Sequence, residues 1–242
     1  MTRGGRVALS GLIALPMFVV LIGLGVWQLQ RLQVKQEFIA QRDLGFSQPV
    51  VELTSRDSNL MGLSWRPVTV GGRFDHAHEF HLWRIGPNGD AGYQVLTPLT
   101  RTDSAPGQVV LIDRGWVPVA RKAPATRAEG QVPGTVTIKG FVRVDLDARG
   151  PVTPANDVAG NIWYAVDYNA MSNHSSLYIR PLVVVADSTP NPGGLPIGVS
   201  KPPEVPNNHL GYAITWFLLA GALAIIFVLS ARRQLASPKS AA

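Results

Sequence analysis

The chain of 242 residues has room for one folded domain beside any membrane segments, and 46% of its residues are hydrophobic. The formal net charge is +6, but five of the 22 Lys and Arg residues lie in the two terminal tails, which leaves 17 beside the 16 Asp and Glu residues of the middle segment. A nearly neutral middle segment offers no basic surface for phosphates, which argues against nucleic-acid binding. The absence of cysteine excludes disulfides, thiol catalysis and thiolate metal sites.

Residues 7–30 form an uncharged apolar run between Arg6 and Arg31. About 20 such residues are enough for a helix to cross the hydrocarbon core of a bilayer. A secretory signal is the alternative, but its apolar region is shorter, on the order of 7 to 15 residues, and ends at a cleavage site between small residues. We therefore predict an uncleaved transmembrane helix. Residues 1–6 would be a cytoplasmic N-terminus that leaves no room for a transit peptide, which favours a bacterial plasma (inner) membrane.

Residues 31–186 are predicted to form a β-rich domain. Helical composition continues from the first transmembrane segment to about Asp43, and Gly45 is predicted to end the helix. Because the later runs are too closely spaced for βαβ crossovers, the predicted fold class is α+β, with two transmembrane helices flanking a mainly antiparallel β domain, a sandwich or an open barrel. Turn residues separate seven β-rich runs, at 67–74, 79–85, 93–99, 109–112, 135–142, 162–166 and 177–185, and a short helix is predicted at 168–173.

Residues 187–208 are rich in proline and glycine and are predicted to form an extended linker that returns the chain to the membrane. Residues 209–231 form the second uncharged apolar run, which ends at Arg232. Residues 232–242 are predicted to form a cytoplasmic C-terminus. Basic residues near the membrane are slightly more numerous at the termini than in the intervening segment, which favours cytoplasmic termini and a periplasmic domain.

Three of the five histidines, His76, His78 and His81, lie in a six-residue stretch. On a strand, His76 and His78 would share one face and could begin a zinc or copper site. The alternative is that they are exposed polar residues where a turn enters a strand. The spacing of zinc proteases is absent.

A stripe of aromatic side chains follows His209 at the start of the second span. Tyr212 and Trp216 lie three and seven positions further on, so all three share one helix face. An imidazole above two aromatic rings could coordinate a metal macrocycle, with His209 as axial ligand of the metal. The alternative is ordinary interfacial anchoring by Tyr and Trp.

Trp27 and Arg31 are four residues apart and share a face at the end of the first span. If the topology is as predicted, they lie at the same leaflet as His209. Together these residues could hold an amphipathic ring, with Arg31 pairing with one of its carboxylates and the bilayer taking an apolar tail. Anchoring of the helix end is again the alternative.

Catalysis has little support in the sequence. No serine lies in a G-x-S-x-G turn. The glycines near residue 89 indicate hairpin turns and not a phosphate-binding loop, because no helix is predicted after them. We therefore predict that the protein is not an enzyme, with a membrane-tethered hydrolase as a distant alternative.

Five segments, in order, resemble the motifs of the surfeit-locus family of cytochrome c oxidase assembly factors. They are residues 25–31 (GVWQLQR), 92–99 (GYQVLTPL), 110–118 (VLIDRGWVP), 161–167 (NIWYAVD) and 207–217 (NNHLGYAITWF). Val34 departs from the tryptophan that the family often has before the lysine at position 35.

The resemblance implies a two-helix inner-membrane protein whose periplasmic domain helps to insert haem a into oxidase subunit I. It also implies that His209 binds haem a, and it places Trp27, Arg31, Arg114, Trp116 and Tyr212 at motif positions. The expected partners are subunit I, the haem a synthase and the lipid bilayer. The alternative is a scaffold that docks the synthase and the oxidase subunits without binding haem.

Overall fold

The computed structural model describes residues 3–86, 88–105, 108–144, 149–199 and 205–236. The chain divides into two compact units. One unit consists of residues 1–41 and 204–242, and the other consists of residues 42–203.

The first unit is a pair of helices. Helix α1 spans Arg3–Ser47 and helix α3 spans His209–Ala236, and both are long and apolar enough to cross a membrane. Helix α1 continues past Gly45, where the sequence predicts its end, and contains Pro16. A proline is tolerated in a membrane helix because neighbouring groups can satisfy the freed backbone carbonyl.

Small residues let the two helices approach closely. A Cβ atom on Gly25 would lie 2.5 Å from the ring of Phe217, so a larger residue at this point would force the ring to move. On α3, Ala213 and Ala220 are both buried. Lipid tails give apolar helices no hydrophobic reason to associate, so close backbone packing of this kind is what holds such a pair together.

The second unit is built on one seven-stranded sheet and a short helix, α2 (Tyr168–Ser175). The strands are β1 (Val51–Glu52), β2 (Pro67–Phe74), β3 (Phe80–Ile85), β4 (Ala91–Arg101), β5 (Gln108–Pro118), β6 (Thr135–Arg143) and β7 (Tyr178–Ala186). Their order is β1-β2-β6-β7-β5-β4-β3, and β2 also pairs with β4. The additional pairing closes β2, β6, β7, β5 and β4 into a five-stranded barrel.

The sheet is mixed, which corrects the prediction of a mainly antiparallel domain. Strand β5 runs parallel to β7, and β1 runs parallel to β2, while the other pairings are antiparallel. The chain leaves β5, forms β6 on the far side of the barrel and passes through α2 before β7 returns beside β5. Side-chain alternation in a strand reports which face is buried but not the direction of the neighbouring strand, so the sequence pattern could not detect this crossover.

Two large apolar clusters lie in the described part of this unit, beside a smaller one formed by Tyr93, Val95 and Val117. Residues from all five barrel strands form the interior, for example Val70, Leu99, Ile112, Val142 and Val184. A second cluster lies between the outer face of the barrel and α2, and includes Phe80, Leu111, Trp163, Met171 and Val183. Strand β5 serves both clusters because alternate residues of a strand point to opposite faces.

Two further segments take a form that the sequence did not predict. Residues 162–166 form only isolated bridges, one of which joins Trp163 to Leu82 of β3. Residues 187–199 do not run free as an extended linker, because Ile197 exchanges two backbone hydrogen bonds of 2.9 Å with Trp116. The proline-rich composition predicted extended backbone but not its contact with the barrel.

Gly115 makes the contact with residue 197 possible. Its φ is +113°, and a Cβ atom there would overlap the carbonyl oxygen of Ile197. We expect Gly115→Ala to lower the free energy of unfolding by more than about 3 kcal/mol, since the substitution adds backbone overlap to left-handed strain. Urea unfolding of the detergent-purified full chain measures this loss.

Gly134→Ala is the matched control, because Gly134 has φ +80° but open space around its Cβ position. It should cost only the conformational strain, about 1–2 kcal/mol. Equal losses in the two variants would contradict the packing role assigned to Gly115.

Candidate functional site

His209 is the first residue of α3, and its ring is held by a residue of α1. Its Nδ1 atom lies 2.7 Å from Oε1 of Gln28. An amide oxygen only accepts hydrogen bonds, so this contact is a hydrogen bond when Nδ1 carries the ring proton. The second nitrogen, Nε2, then carries a lone pair, which is the form in which a neutral histidine binds a metal.

The close contact of the two helices positions Gln28. Gln28 lies three residues after Gly25 and therefore on the same face of α1, toward α3. Gly25 lets that face approach the ring of Phe217. The amide of Gln28 reaches His209 across this interface, and both side chains are half-buried.

The other predicted site residues are not drawn into contact with His209. Trp27 is 50% exposed, Tyr212 is 58% exposed, Arg31 is exposed and Trp216 is half-buried. Within the described parts of the chain, none of these four side chains makes a hydrogen bond, ion pair or ring contact. Their assignment to a haem site stays a prediction. Gln28 is not among the site residues predicted from the sequence, although it lies in the 25–31 motif, one turn after a glycine.

A second polar centre lies inside the unit of residues 42–203, around Glu79. This carboxylate is 4% exposed. Its Oε2 atom accepts a hydrogen bond of 2.5 Å from Arg127, and Nη1 of Arg114 lies 3.7 Å from its Oε1 atom. Thr97 and Gln131 donate longer hydrogen bonds of 3.4 Å to Oε1.

Three of the resembling motifs meet at this residue. Thr97 belongs to residues 92–99, Arg114 to residues 110–118 and Asn161 to residues 161–167. Asn161 donates a hydrogen bond of 2.7 Å to the backbone oxygen of Glu79. Residues of these three motifs therefore lie inside the unit. All three contact Glu79, which itself lies in none of the motifs.

Arg114 and Trp116 also have structural contacts. Nη2 of Arg114 donates to the backbone oxygen of Gly130 at 2.5 Å and to Oδ1 of Asn191 at 3.0 Å. The guanidinium also stacks on the ring of Phe74. The indole nitrogen of Trp116 donates to the backbone oxygen of Arg84 at 3.4 Å. Arg114 thus fastens the segment after β7 to the barrel.

The environment of Glu79 keeps it ionised. Burial by itself would raise the pKa of Glu79, but hydrogen bonds from His76 and Arg127 and the charges of Arg127 and Arg114 together lower it from 4.5 to about 2. A buried carboxylate next to two guanidinium groups is stable only as a set, because removing one member leaves the others buried without a counter-charge.

The histidine-rich stretch does not have the strand geometry that the metal hypothesis assumed. Residues His76–His78 form a 3-10 turn, so the two histidines do not share a strand face as the metal hypothesis required. Nε2 of His76 donates to the backbone oxygen of Val132 at 3.0 Å, and Nδ1 of His78 pairs with Asp75 at 2.7 Å. His81 is buried on β3 against the ring of Tyr93. Among the described residues, no group of three or more His, Cys, Asp or Glu could hold a metal ion.

The fold and the site together define a protein with two potential membrane helices, a closed β-barrel domain and a histidine at the start of one helix that contacts a glutamine of the other. Residues 15–221 match the SURF1 family. The chain belongs to this family of cytochrome c oxidase assembly factors.

Similar proteins from three organisms support the assignment. The chain is 34% identical to a SURF1-like protein of Monosiga brevicollis, over 96% of this chain and 90% of that protein. It is 32% identical to Surfeit locus protein 1 of Xenopus tropicalis, over 84% of this chain and 70% of that protein. A bacterial SURF1-like protein, from Rickettsia felis, is 28% identical over 92% of this chain and 97% of its own length.

Replacing the shared carboxylate tests the buried cluster. We expect Glu79→Gln to lower the free energy of unfolding by about 3–5 kcal/mol, because Arg127 and Arg114 stay buried without their counter-charge. Chemical unfolding of the full chain in detergent measures the change. Glu52→Gln, at an exposed position of β1, is the control and should change stability by less than about 0.5 kcal/mol. If Glu79→Gln lowers the free energy of unfolding no more than Glu52→Gln does, the stabilising role of the cluster is contradicted.

The free energy of unfolding should also decrease as the pH is lowered, because of His81. Burial lowers the pKa of His81 from 6.5 to about 4, with Glu79 opposing the shift and Lys122 and Arg127 adding to it. The unfolded chain therefore binds a proton at higher pH than the folded chain, and this contribution to stability is lost as the pH falls from 6.5 to about 4.

In His81→Phe this part of the pH dependence should disappear, because phenylalanine keeps a ring in the space but does not titrate. Unfolding free energies measured at half-unit pH steps test this, with His174→Phe, an exposed position on α2, as control. A wild-type curve that stays parallel to that of His81→Phe between these pH values would refute the assignment.

Proposed function

We propose that this protein assists the assembly of an aa3-type cytochrome c oxidase by binding haem a through His209 and helping to insert it into oxidase subunit I. Membership of the SURF1 family supports the role in oxidase assembly. The single observation that supports haem binding is the hydrogen bond from Nδ1 of His209 to Gln28, which leaves Nε2 free to coordinate.

The residues around this histidine suit a haem. Haem a carries an iron that can bind an imidazole nitrogen. It also carries two carboxylates and an apolar tail. His209 provides the nitrogen. Arg31 is an exposed cation that can pair with a carboxylate, and Trp27, Tyr212 and Trp216 are accessible or half-buried rings that can pack against the macrocycle.

The two helices support the proposed location. Both are long and apolar enough to span the inner membrane, and antiparallel spans place both termini on one side. With cytoplasmic termini, the barrel unit is periplasmic, and His209, at the first turn of α3, lies at the outer leaflet. Haem a synthase and subunit I are the proposed donor and acceptor of the cofactor, and the protein binds and transfers without catalysing a reaction.

The visible spectrum of the full chain tests the proposal. The protein is co-expressed with the haem a biosynthetic enzymes, purified in detergent and compared with His209→Ala. The wild type should show the absorption band of haem a. The variant should bind at least about tenfold less haem per chain, since it lacks the proposed iron ligand.

His174→Ala is the matched control, because His174 is an exposed histidine on α2 in the other unit. It should load haem like the wild type. A wild type that stays colourless beside abundant haem a would refute haem binding and favour the alternative, a scaffold that docks haem a synthase and the oxidase subunits.

A further inference from the structure

We propose that Gln28 is a positioning residue for His209, which selects the tautomer and fixes the ring so that Nε2 is the atom presented to a ligand. The contact of 2.7 Å between Nδ1 of His209 and Oε1 of Gln28 supports this role in the protein without haem. Its consequence for haem a rests on the function proposed above.

The hydrogen bond has the form that orients metal-binding histidines. Such a histidine usually donates its non-coordinating N–H to a carboxylate, a backbone oxygen or a similar acceptor, which fixes the tautomer and the ring plane. Here the acceptor is an amide oxygen from a residue 181 positions away in the sequence. Without it, the ring would favour the Nε2–H form of a free side chain, in which the coordinating atom is blocked by a proton.

The neutral acceptor matters for a protein that releases its ligand. A carboxylate would pull the Nδ1 proton more strongly and make the imidazole a stronger donor to iron. An amide fixes the same geometry with a smaller gain in donor strength. Glutamine at position 28 therefore orients the imidazole of His209 for binding iron but still allows the haem to be released.

The hydrogen bond also depends on the helix pair. Gly25 lets α1 approach Phe217 of α3, and the amide of Gln28 reaches His209 one turn further along α1. We expect a β-branched residue at position 25 to displace the ring of Phe217 and to widen the gap between the helices. His209 would then lose its acceptor even though Gln28 itself is unchanged.

The first test uses the protein without haem. The full chain is labelled with ¹⁵N-histidine, and the ring nitrogens of His209 are assigned by their absence in His209→Ala. The wild type should show a protonated Nδ1 and an unprotonated Nε2. Gln28→Leu, and separately Gly25→Val, should shift His209 toward the Nε2–H form.

Gln30→Leu is the matched control, because Gln30 is an exposed glutamine two residues away on the same helix. It should leave the histidine signals unchanged. Circular dichroism confirms that each variant keeps its helices. A wild-type His209 with the proton on Nε2, or a Gln28→Leu variant with the wild-type tautomer, would overturn the inference.

The second test uses haem a. Gln28→Leu should weaken haem a binding by about 10- to 100-fold, the usual effect of removing a partner of a metal-binding histidine. Gln28→Glu should restore binding and slow the release of haem to an acceptor protein below the wild-type rate. Release from Gln28→Glu at or above the wild-type rate would contradict the role assigned to the neutral amide.

The two proposals fail in different ways. If His209→Ala keeps its haem, the proposed function fails, while the tautomer measurement still decides the role of Gln28. If His209→Ala loses haem but Gln28→Leu binds it like the wild type, His209 is the ligand and Gln28 does not position it.

Discussion

The unit of residues 42–203 depends on one buried carboxylate. Glu79 lies between β2 and β3, and the guanidinium of Arg127 and the hydroxyl of Thr97 converge on it. Arg114 and Asn161 approach it from two further segments. A charge removed from water is expensive unless it is paired and hydrogen-bonded, so these segments must come together for the unit to fold. The cluster thereby fixes how the segments outside the barrel strands pack on the barrel.

The helix pair is held by a different constraint. In a bilayer, apolar side chains gain nothing by leaving lipid for one another, so association depends on close packing and on hydrogen bonds between helices. Gly25 and Ala213 supply the small surfaces, and the bond from His209 to Gln28 supplies the polar contact. The same bond gives one ring nitrogen of His209, at the start of an apolar helix, a partner. Structure and proposed function therefore share one interaction.

The motif residues divide into two kinds. Arg114, Trp116 and Asn161 are used by contacts inside the barrel unit, where a change would act first on stability. Trp27 and Tyr212, by contrast, are exposed and have no side-chain partner in the described parts of the helix pair. Motif membership alone did not separate these two groups, because a sequence pattern carries no information on burial. Exposure on the helix pair is what makes those residues candidates for contact with a ligand.

The sequence by itself determined the two apolar helices, most of the barrel strands and the family, because these follow from local periodicity and from residues in order along the chain. Strands β2, β6 and β7 lie within a residue of their predicted bounds. The tertiary structure alone decided the barrel closure through β2 and β4 and the parallel pairing of β5 with β7. It also brought Glu79 and Gln28 to their hydrogen-bonding partners. These features join residues far apart in the chain, and a lone Glu or Gln shows its importance only when its distant partners are brought within hydrogen-bonding distance.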